Sequence, residues 1–292
     1  MKQVILIHAH KDIDQLNGLI AQLRDRDFHL YVNLDRKSAL DPAAIDPSAT
    51  LVRRRIDVHW GDFSQVQAAL NSLAQIVDEV PDFDKVSFIS AQDAPLLPNC
   101  ALKRRLAALR RHELLDCVAI GAQGWSCAER YQYFHRERGG ALARLACRGA
   151  NRAMRAAGLT RSMVHRYQPW GGSSWWALSR DCVLFILGIT AADKSIVRFF
   201  RHVACPDELF FQTLVMNSPF RHRVMNNNFR YIRWPADGAR NPQVLAAADF
   251  DQIAAADAHF CRKLEASSSA ALLPLLDELR QSRQTAPNSP GA

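Results

Sequence analysis

The stretch 1-MKQVILIHAHKD-12 changes from apolar to polar residues within a few positions. Its apolar part, residues 4–7, has the character of a buried strand, and Asp12 precedes a stretch whose apolar residues recur at helical spacing. Asp is favoured just before a helix, where its carboxylate accepts hydrogen bonds from backbone N–H groups. The opening of the chain therefore predicts a strand, a polar loop and a helix capped by Asp12.

The alternation of strand and helix continues to residue 90. A second strand is predicted over residues 28–35, then a helix with Ser64 as its cap, then a strand over residues 85–90. This alternation is typical of an α/β fold, in which a mostly parallel central sheet is flanked by helices. We predict that fold class.

Three polar residues follow these strands directly: His8, Asp35 and Asp93. Sheets of this kind bind their ligands beyond the carboxyl ends of the strands. The loops that contain these residues are therefore the first candidates for a ligand site.

The composition predicts a globular protein without a membrane span. The chain has 292 residues, of which 48% are hydrophobic, which is enough for a substantial core. No apolar run approaches the roughly 20 residues that cross a bilayer, and the first residues lack the cleavage site of a signal peptide. Seven cysteines without CxxC spacing are expected to be reduced. We expect a cytoplasmic protein.

The net charge of +8 leaves several partners open. Basic residues concentrate in residues 103–112 and 136–166, at helical spacing. Such helices are either solvated faces or surfaces attracted to acidic lipid headgroups or lipid-linked sugars. Nucleic-acid binding would require steep salt dependence, and no nucleic-acid motif is present, so we expect no nucleic-acid partner.

Several common site motifs are absent. There is no GxGxxG, no GxxxxGK[ST] and no GxSxG, so a dinucleotide fold, a P-loop and a serine hydrolase are not supported. Asp-Xaa-Asp occurs four times, each time where a helix start or a turn explains it. We therefore predict no metal site and no cofactor.

The stretch 170-WGGSSWWALSRD-181 allows two interpretations. It is a tight turn and a packed strand with its Trp side chains in the core, or it is a sugar site in which flat aromatic faces stack on pyranose rings. Composition alone does not decide between them.

Two carboxylates in 205-CPDELFFQTLVMNS-218 also allow two interpretations. Asp207 is a helix N-cap and Glu208 a first-turn acid favoured by the helix dipole. Alternatively, Glu208 is a general base that takes a proton from an acceptor hydroxyl.

Seven motifs in order resemble the core-2/I-branching family of β-1,6-N-acetylglucosaminyltransferases, which is related to the peptide O-xylosyltransferases. The resemblance covers residues 3–265. It rests on ILIHAHK (5–11), VHWG (58–61), ISAQDAPL (89–96), GGSSWWALSRD (171–181), PDELFFQTLV (206–215), RYIRW (230–234) and AHFCRKLE (258–265).

The resemblance implies an inverting transfer from a UDP-sugar, on a GT-A-type nucleotide-sugar fold that does without the usual metal. Its catalytic base matches Glu208. Two cations that replace the metal on the diphosphate match Arg240 and Lys263. In such a transfer one carboxylate activates the acceptor oxygen opposite the leaving group, and fixed cations stabilise the departing diphosphate.

The resemblance also implies which residues lie near the two substrates. His8, Asp35 and Asp93 are expected near the uridine, ribose or donor sugar. The acceptor residues are expected to be Glu129, Trp175, Tyr231 and Trp234.

We therefore expect a single glycosyltransferase domain over residues 1–265, followed by an Ala/Ser-rich helix and a disordered tail over residues 266–292. GlcNAc is the expected donor sugar, and an oligosaccharide or lipid-linked glycan is the expected acceptor. The protein is expected to be bacterial and peripheral at the inner membrane face. The alternatives are a UDP-xylose-dependent O-xylosyltransferase and a non-catalytic protein of the same fold that binds nucleotides or carbohydrates.

Overall fold

The computed structural model describes residues 2–121, 124–136, 140–235 and 241–285. The strands β1 to β12 are, in chain order, Gln3–Ala9, Phe28–Leu34, Ala49–Leu51, Lys85–Ser90, Ala94–Pro95, Glu113–Leu115, Val118–Ala119, Trp170–Gly171, Trp176–Ser179, Val224–Met225, Arg230–Ile232 and Phe260–Arg262. The helices α1 to α10 are Ile13–Leu23, Ser64–Glu79, Asn99–Ala108, Glu129–Gln132, Ala141–Ala156, Arg180–Ala192, Lys194–Phe200, Phe210–Met216, Phe250–Ala255 and Leu273–Thr285.

The central sheet has seven strands in the order β10-β6-β9-β4-β1-β2-β3. β1 pairs parallel with both β2 and β4, and β2 pairs parallel with β3. β9 pairs antiparallel with β4 and with β6, while β10 runs parallel to β6. β9 is therefore the one strand of this sheet that runs against the others. The predicted α/β class with a mostly parallel sheet is confirmed, and the architecture is that of a GT-A-like fold.

Alternate residues of β1 enter different cores, because successive side chains of a strand point to opposite faces. Val4 and Leu6 pack with residues of α2, α6 and α8 on one face. Ile5 and Ile7 pack with residues of α1 and α3 on the other. Both faces of β1 are fully buried, which explains why its sequence is a continuous apolar run rather than an alternating one.

A small sheet lies beside the carboxyl ends of the central strands. β12 pairs with β11 and β5, and its Cys261 packs with residues of α9 and α10 in a third core. α10 is the helix of the described chain within residues 266–292, where an Ala/Ser-rich helix was expected. The expected disordered tail after it lies outside the described residues.

The two predicted helix caps have different outcomes. The carboxylate of Asp12 accepts a hydrogen bond from the backbone N–H of Gln15 at 3.0 Å, so this cap is confirmed. The prediction for Ser64 was wrong, because Ser64 is already the first residue of α2. Its hydroxyl accepts from the backbone of His59, while its own N–H donates to Asp62. The preceding loop folds back over the helix start and takes up the hydroxyl that the sequence suggested as a cap.

Candidate functional site

The three parallel strands β1, β2 and β4 end side by side, and the structure brings His8 to this edge. The imidazole packs edge-on against Phe88, with ring centroids 4.5 Å apart. Burial, followed by the charge of His10, lowers the pKa of His8 to about 3. Its Nε2 is buried and has no hydrogen-bond partner among the described residues. His8 is thus a neutral imidazole with one unused hydrogen-bonding position.

Asp35 organises the loop after β2. Its carboxylate accepts hydrogen bonds from the backbone N–H groups of Lys37 at 3.1 Å and Val58 at 3.2 Å. The ammonium group of Lys37 lies 3.8 Å from the same carboxylate. A carboxylate has about four acceptor positions, so Asp35 keeps acceptor capacity at the edge of the sheet.

Asp93 lies beneath two arginines that the sequence analysis did not single out. Its side chain is fully buried and accepts a hydrogen bond from the guanidinium of Arg230. Arg262 Nε lies 3.6 Å from the other carboxylate oxygen. Burial lowers the pKa of Arg262 to about 10, against the opposing effect of Asp93. Asp93 therefore supplies the negative charge that keeps two arginines at this edge.

Lys263, the residue after Arg262, belongs to a second charged cluster. Its ammonium nitrogen lies 3.4 Å from a carboxylate oxygen of Glu265. Lys11 donates to the other oxygen of Glu265 at 2.6 Å, and Gln92 donates to this carboxylate at 2.6 Å. Two ammonium groups therefore share one carboxylate, which leaves positive charge beside the strand ends. Arg240, the second cation of the expected clamp, lies outside the described residues.

The segment around Glu208 differs from the expected helix start. Residues Pro206–Glu208 form a 3-10 turn, and α8 begins only at Phe210. Asp207 is therefore not an N-cap. Its buried carboxylate accepts a hydrogen bond from the hydroxyl of Ser174 at 2.6 Å. The interpretation of Asp207 as an N-cap was wrong, because the 3-10 turn ends before α8 and Asp207 is bonded to the neighbouring segment instead. Glu208 does lie in a first helical turn, that of the 3-10 turn.

Glu208 is held by a charged partner. The guanidinium of Arg130 donates to its carboxylate, and both side chains are about 28% exposed. Arg130 in turn lies over the ring of Trp125, 4.6 Å from the centroid. Arg130 was not predicted as a site residue, although it directly follows Glu129, which was. The carboxylate of Glu208 is thus partly accessible and fixed in direction.

The segment of residues 172–175, just before β9, contacts both the turn of Glu208 and the arginines that face Asp93. The backbone N–H of Gly172 donates to the carbonyl oxygen of Glu208 at 2.9 Å, and Trp175 stacks under Arg262, 4.3 Å from the ring centroid. The three-residue step from Gly172 to Trp175 spans at most about 11 Å. The turn that carries Glu208 and the arginine cluster therefore flank one short stretch of backbone.

Both glycines of this segment are required by close approach. A Cβ on Gly171 would lie 2.6 Å from the ring of Trp125, and one on Gly172 would lie 1.9 Å from the carbonyl oxygen of Asp116. The packed-strand interpretation is confirmed for Trp176, and the sugar-site interpretation stays a prediction. Trp176 is buried in the core, whereas Trp175 belongs to the charged cluster.

The remaining acceptor candidates are bonded to residues other than Glu208. The carboxylate of Glu129 accepts from Arg155 at 3.1 Å. The hydroxyl of Tyr231 donates to Gln252 at 3.0 Å, and Trp234 is 55% exposed. Their roles in binding an acceptor stay predictions.

Three of the four Asp-Xaa-Asp pairs contain an aspartate that is paired with a cation of the protein, the third through Lys2 and Asp82. Lys103 donates to Asp25 at 2.8 Å and to Asp27 at 2.9 Å, and Arg233 pairs with Asp249. Within the described ranges, no group of three or more His, Cys, Asp or Glu side chains is arranged to hold a metal ion.

Asp207→Asn is expected to stabilise the protein at pH 8 by about 2–3 kcal/mol and to have little effect at pH 4. Burial, followed by the charge of Glu208, raises the pKa of Asp207 to about 6. An unfolded Asp titrates near 3.9, so the native state binds the extra proton between these two values. The stability contributed by Asp207 therefore falls as the pH rises from about 4 to about 6 and stays lost above. Urea denaturation at both pH values measures this, and an equal effect at both would contradict the assignment.

The sequence profile of a known protein family matches most of the chain. The profile described as core-2/I-branching enzyme matches residues 7–254. The chain therefore belongs to the core-2/I-branching enzyme family, which is a family of glycosyltransferases.

Individual relatives are distant. The chain is 24% identical to a xylosyltransferase of Ciona intestinalis over 238 residues, which is 79% of this chain and 26% of that protein. It is 26% identical to xylosyltransferase 1 of Canis lupus familiaris over 243 residues, which is 79% of this chain and 24% of that protein. The chain thus spans about a quarter of the length of these relatives.

Proposed function

We propose that this chain transfers N-acetylglucosamine from its UDP-linked form to a hydroxyl group of a glycan, with inversion and without a metal ion. The observation that carries the proposal is the segment of residues 171–175. It hydrogen-bonds to the turn of Glu208 at one end and stacks under Arg262, next to Lys263, at the other. A base and a set of cations on two sides of one segment are the groups that such a transfer requires.

Glu208 is the proposed base. It takes the proton of the acceptor hydroxyl as the oxygen attacks the anomeric carbon from the side opposite the diphosphate. The hydrogen bond from Arg130 keeps the carboxylate in one direction. Burial, followed by the charge of Glu208, raises the pKa of the neighbouring Asp207 to about 6.

Lys263, with Lys11 nearby and Arg240 as its proposed partner, stabilises the departing diphosphate. Among the described residues, Glu265 is the one carboxylate that forms ion pairs with Lys11 and Lys263. The two ammonium groups together therefore keep a net positive charge that can bind an anion. Fixed cations that face a developing negative charge are among the largest contributions to catalysis. In this assignment they take the place that a divalent cation has in other nucleotide-sugar enzymes.

The nucleoside is assigned to the ends of β1 and β2. The unused Nε2 of the neutral His8 is suited to a hydrogen bond with an uncharged group such as the uracil ring. Asp35 keeps acceptor positions for ribose hydroxyls. Asp93 is buried below Arg230 and Arg262, so its proposed part is to orient these arginines towards the donor rather than to touch it.

The acceptor is assigned to Glu129, Trp175, Tyr231 and Trp234, the residues that the resemblance leads us to expect near it. A second donor sugar, xylose, is favoured by one observation: the relatives described above are xylosyltransferases. Donor choice is therefore the first point to test.

Release of UDP from UDP-GlcNAc is expected to proceed in EDTA and to be slowed about 10–100-fold in Lys263→Ala, because a cation on the leaving group is removed. The measurement is UDP formation from UDP-GlcNAc, UDP-xylose and UDP-glucose. Lys2→Ala is the matched control, since Lys2 pairs with Asp82 on the surface. A requirement for Mn²⁺ would contradict the clamp, and a preference for UDP-xylose would favour the second donor. Binding of UDP without turnover of any donor would favour a non-catalytic binding protein.

A lipid-linked acceptor at the cytoplasmic face of a bacterial inner membrane is the proposed setting. It is supported by α5, none of whose side chains is buried. Leu142 is 83% exposed and Leu145 is 65% exposed, while Arg148 and Arg152 lie on the adjoining side of the helix. An amphipathic basic helix of this kind binds anionic membrane surfaces. Among the described residues, no helix has the length and apolar character to span a bilayer.

Binding to vesicles of phosphatidylglycerol and phosphatidylcholine is expected at low salt and is expected to weaken several-fold in Leu142→Ser/Leu145→Ser, because the apolar contact with the lipid is lost. Flotation of the protein with the vesicles measures this. Leu184→Ser, at a partly exposed leucine of α6, should leave binding unchanged. Equal flotation of both variants would contradict the role of α5.

A further inference from the structure

A surface cavity of about 820 Å³ lies at the opposite edge of the central sheet from the candidate site. β4 begins and β9 ends there, because the two strands are antiparallel and Lys85 pairs with Ser179. The six residues of β4 separate this edge from the carboxyl edge by about 17 Å. Ser179 itself lines the cavity, together with residues of the segments 83–84, 110–112 and 222–223.

Positive charge dominates the lining. Four arginines, Arg110, Arg111, Arg180 and Arg223, face two aspartates, Asp84 and Asp181, and two histidines. None of these arginines forms an ion pair with a carboxylate of the described residues, whereas arginines elsewhere do, such as Arg24 with Asp46. The guanidinium groups of the cavity thus have no close carboxylate among the described residues.

Arg180 is the innermost of these arginines. Its Nε is buried and has no hydrogen-bond partner in the part of the chain that the structure describes. It is also the first residue of α6, where the helix dipole adds partial positive charge. A buried donor without a partner is costly, and an anion in the cavity would satisfy it.

The acid below the cavity does not neutralise it. Glu113 is fully buried, and its carboxylate accepts from the backbone N–H and the hydroxyl of Ser179 at 2.7 and 2.5 Å. Lys85 donates to the carbonyl oxygen of His112. Burial lowers the pKa of Lys85, and the nearby charge of Glu113 opposes this effect. These two buried groups therefore offset each other, and the arginines remain available.

We propose that this cavity binds the phosphate groups of a small soluble anion, separately from the donor site. Arginine matches phosphate oxygens with two parallel hydrogen bonds, and four of them surround a space of the size that small-molecule sites have. The concave form favours an enclosed ligand over a flat lipid surface. None of the lining residues takes part in the sugar transfer proposed above.

Inorganic pyrophosphate is the probe, measured by isothermal titration calorimetry in the presence of saturating UDP. One molecule is expected to bind the parent protein, and Arg110→Ala/Arg111→Ala is expected to weaken it about tenfold or more, because charge-assisted hydrogen bonds are lost. Arg180→Gln should weaken it as well. The exposed pair Arg110 and Arg111 can be replaced without disturbing the core, so this variant tests the site even if Arg180→Gln fails to fold.

Two control variants separate this site from general electrostatics and from the donor site. Arg148→Ala/Arg152→Ala removes the same charge from α5 and should leave pyrophosphate binding unchanged. Lys263→Ala should also leave it unchanged when saturating UDP occupies the donor site. Equal weakening in the Arg148/Arg152 variant, loss of binding in Lys263→Ala, or binding of phosphatidic acid vesicles without binding of pyrophosphate would each overturn the proposal.

Discussion

Glu208→Gln is expected to lower the rate constant of sugar transfer by a factor of about 10²–10⁴, which is the usual contribution of a general base. The amide has nearly the shape of the carboxylate and still accepts the hydrogen bond from Arg130. It cannot take the proton of the acceptor hydroxyl. The fold and the donor affinity should therefore be retained while the chemical step is lost, as measured by kcat with an acceptor and by the KM for the donor.

A matched control is available on α10. Glu278 is exposed on this helix, and Glu278→Gln makes the same chemical change far from the carboxyl edge of the sheet. Its kcat should equal that of the parent. If Glu208→Gln kept the kcat of the parent within a factor of about three, while removal of a base costs at least a hundredfold, another group would have to be the base.

Asp93→Asn is expected to lower the free energy of unfolding by about 3–5 kcal/mol, because it leaves buried arginines without their counter-charge. Arg230 is 3% exposed and Arg262 is 10% exposed at the side chain, and Asp93 faces both. An amide can still accept one hydrogen bond, but it carries no charge. Urea denaturation with a two-state fit measures the loss.

The surface pair of Asp257 and Arg105 provides the comparison for Asp93. Asp257 accepts from Arg105 but is 65% exposed at its side chain, and exposed ion pairs contribute only about 0–1 kcal/mol. Asp257→Asn should therefore change stability by no more than this. Similar losses for Asp93→Asn and Asp257→Asn would show that the buried cluster is not the stabilising element inferred here.

Much of the N-terminal half of the fold could be predicted, because its elements are local. The strands at residues 3–9, 28–34 and 85–90 and the cap by Asp12 follow from apolar runs and from one side chain near a helix start. Ser64 shows the limit of this reasoning. Its hydroxyl was taken by a backbone group five residues away, which a cap preference does not reveal.

The candidate site was predicted in part. Glu208, Lys263, His8 and Asp93 were singled out by motif and by position after strands, whereas their partners were not. Arg130 lies 78 residues from Glu208, and Arg230 lies 137 residues from Asp93. Ion pairs over such distances depend on how the elements pack, and local patterns carry no information about this.

The reversed strand β9 has a consequence for the order in which the chain folds. It lies between β4 and β6, so residues 176–179 must be in place before either of these strands can complete its pairing. Contacts between residues so far apart in sequence form slowly. Until they form, the apolar strand β4 has an open edge, and such edges promote association between chains. Nascent or truncated chains that stop before β9 are therefore expected to depend on chaperones, even though the three N-terminal strands and their helices are already present.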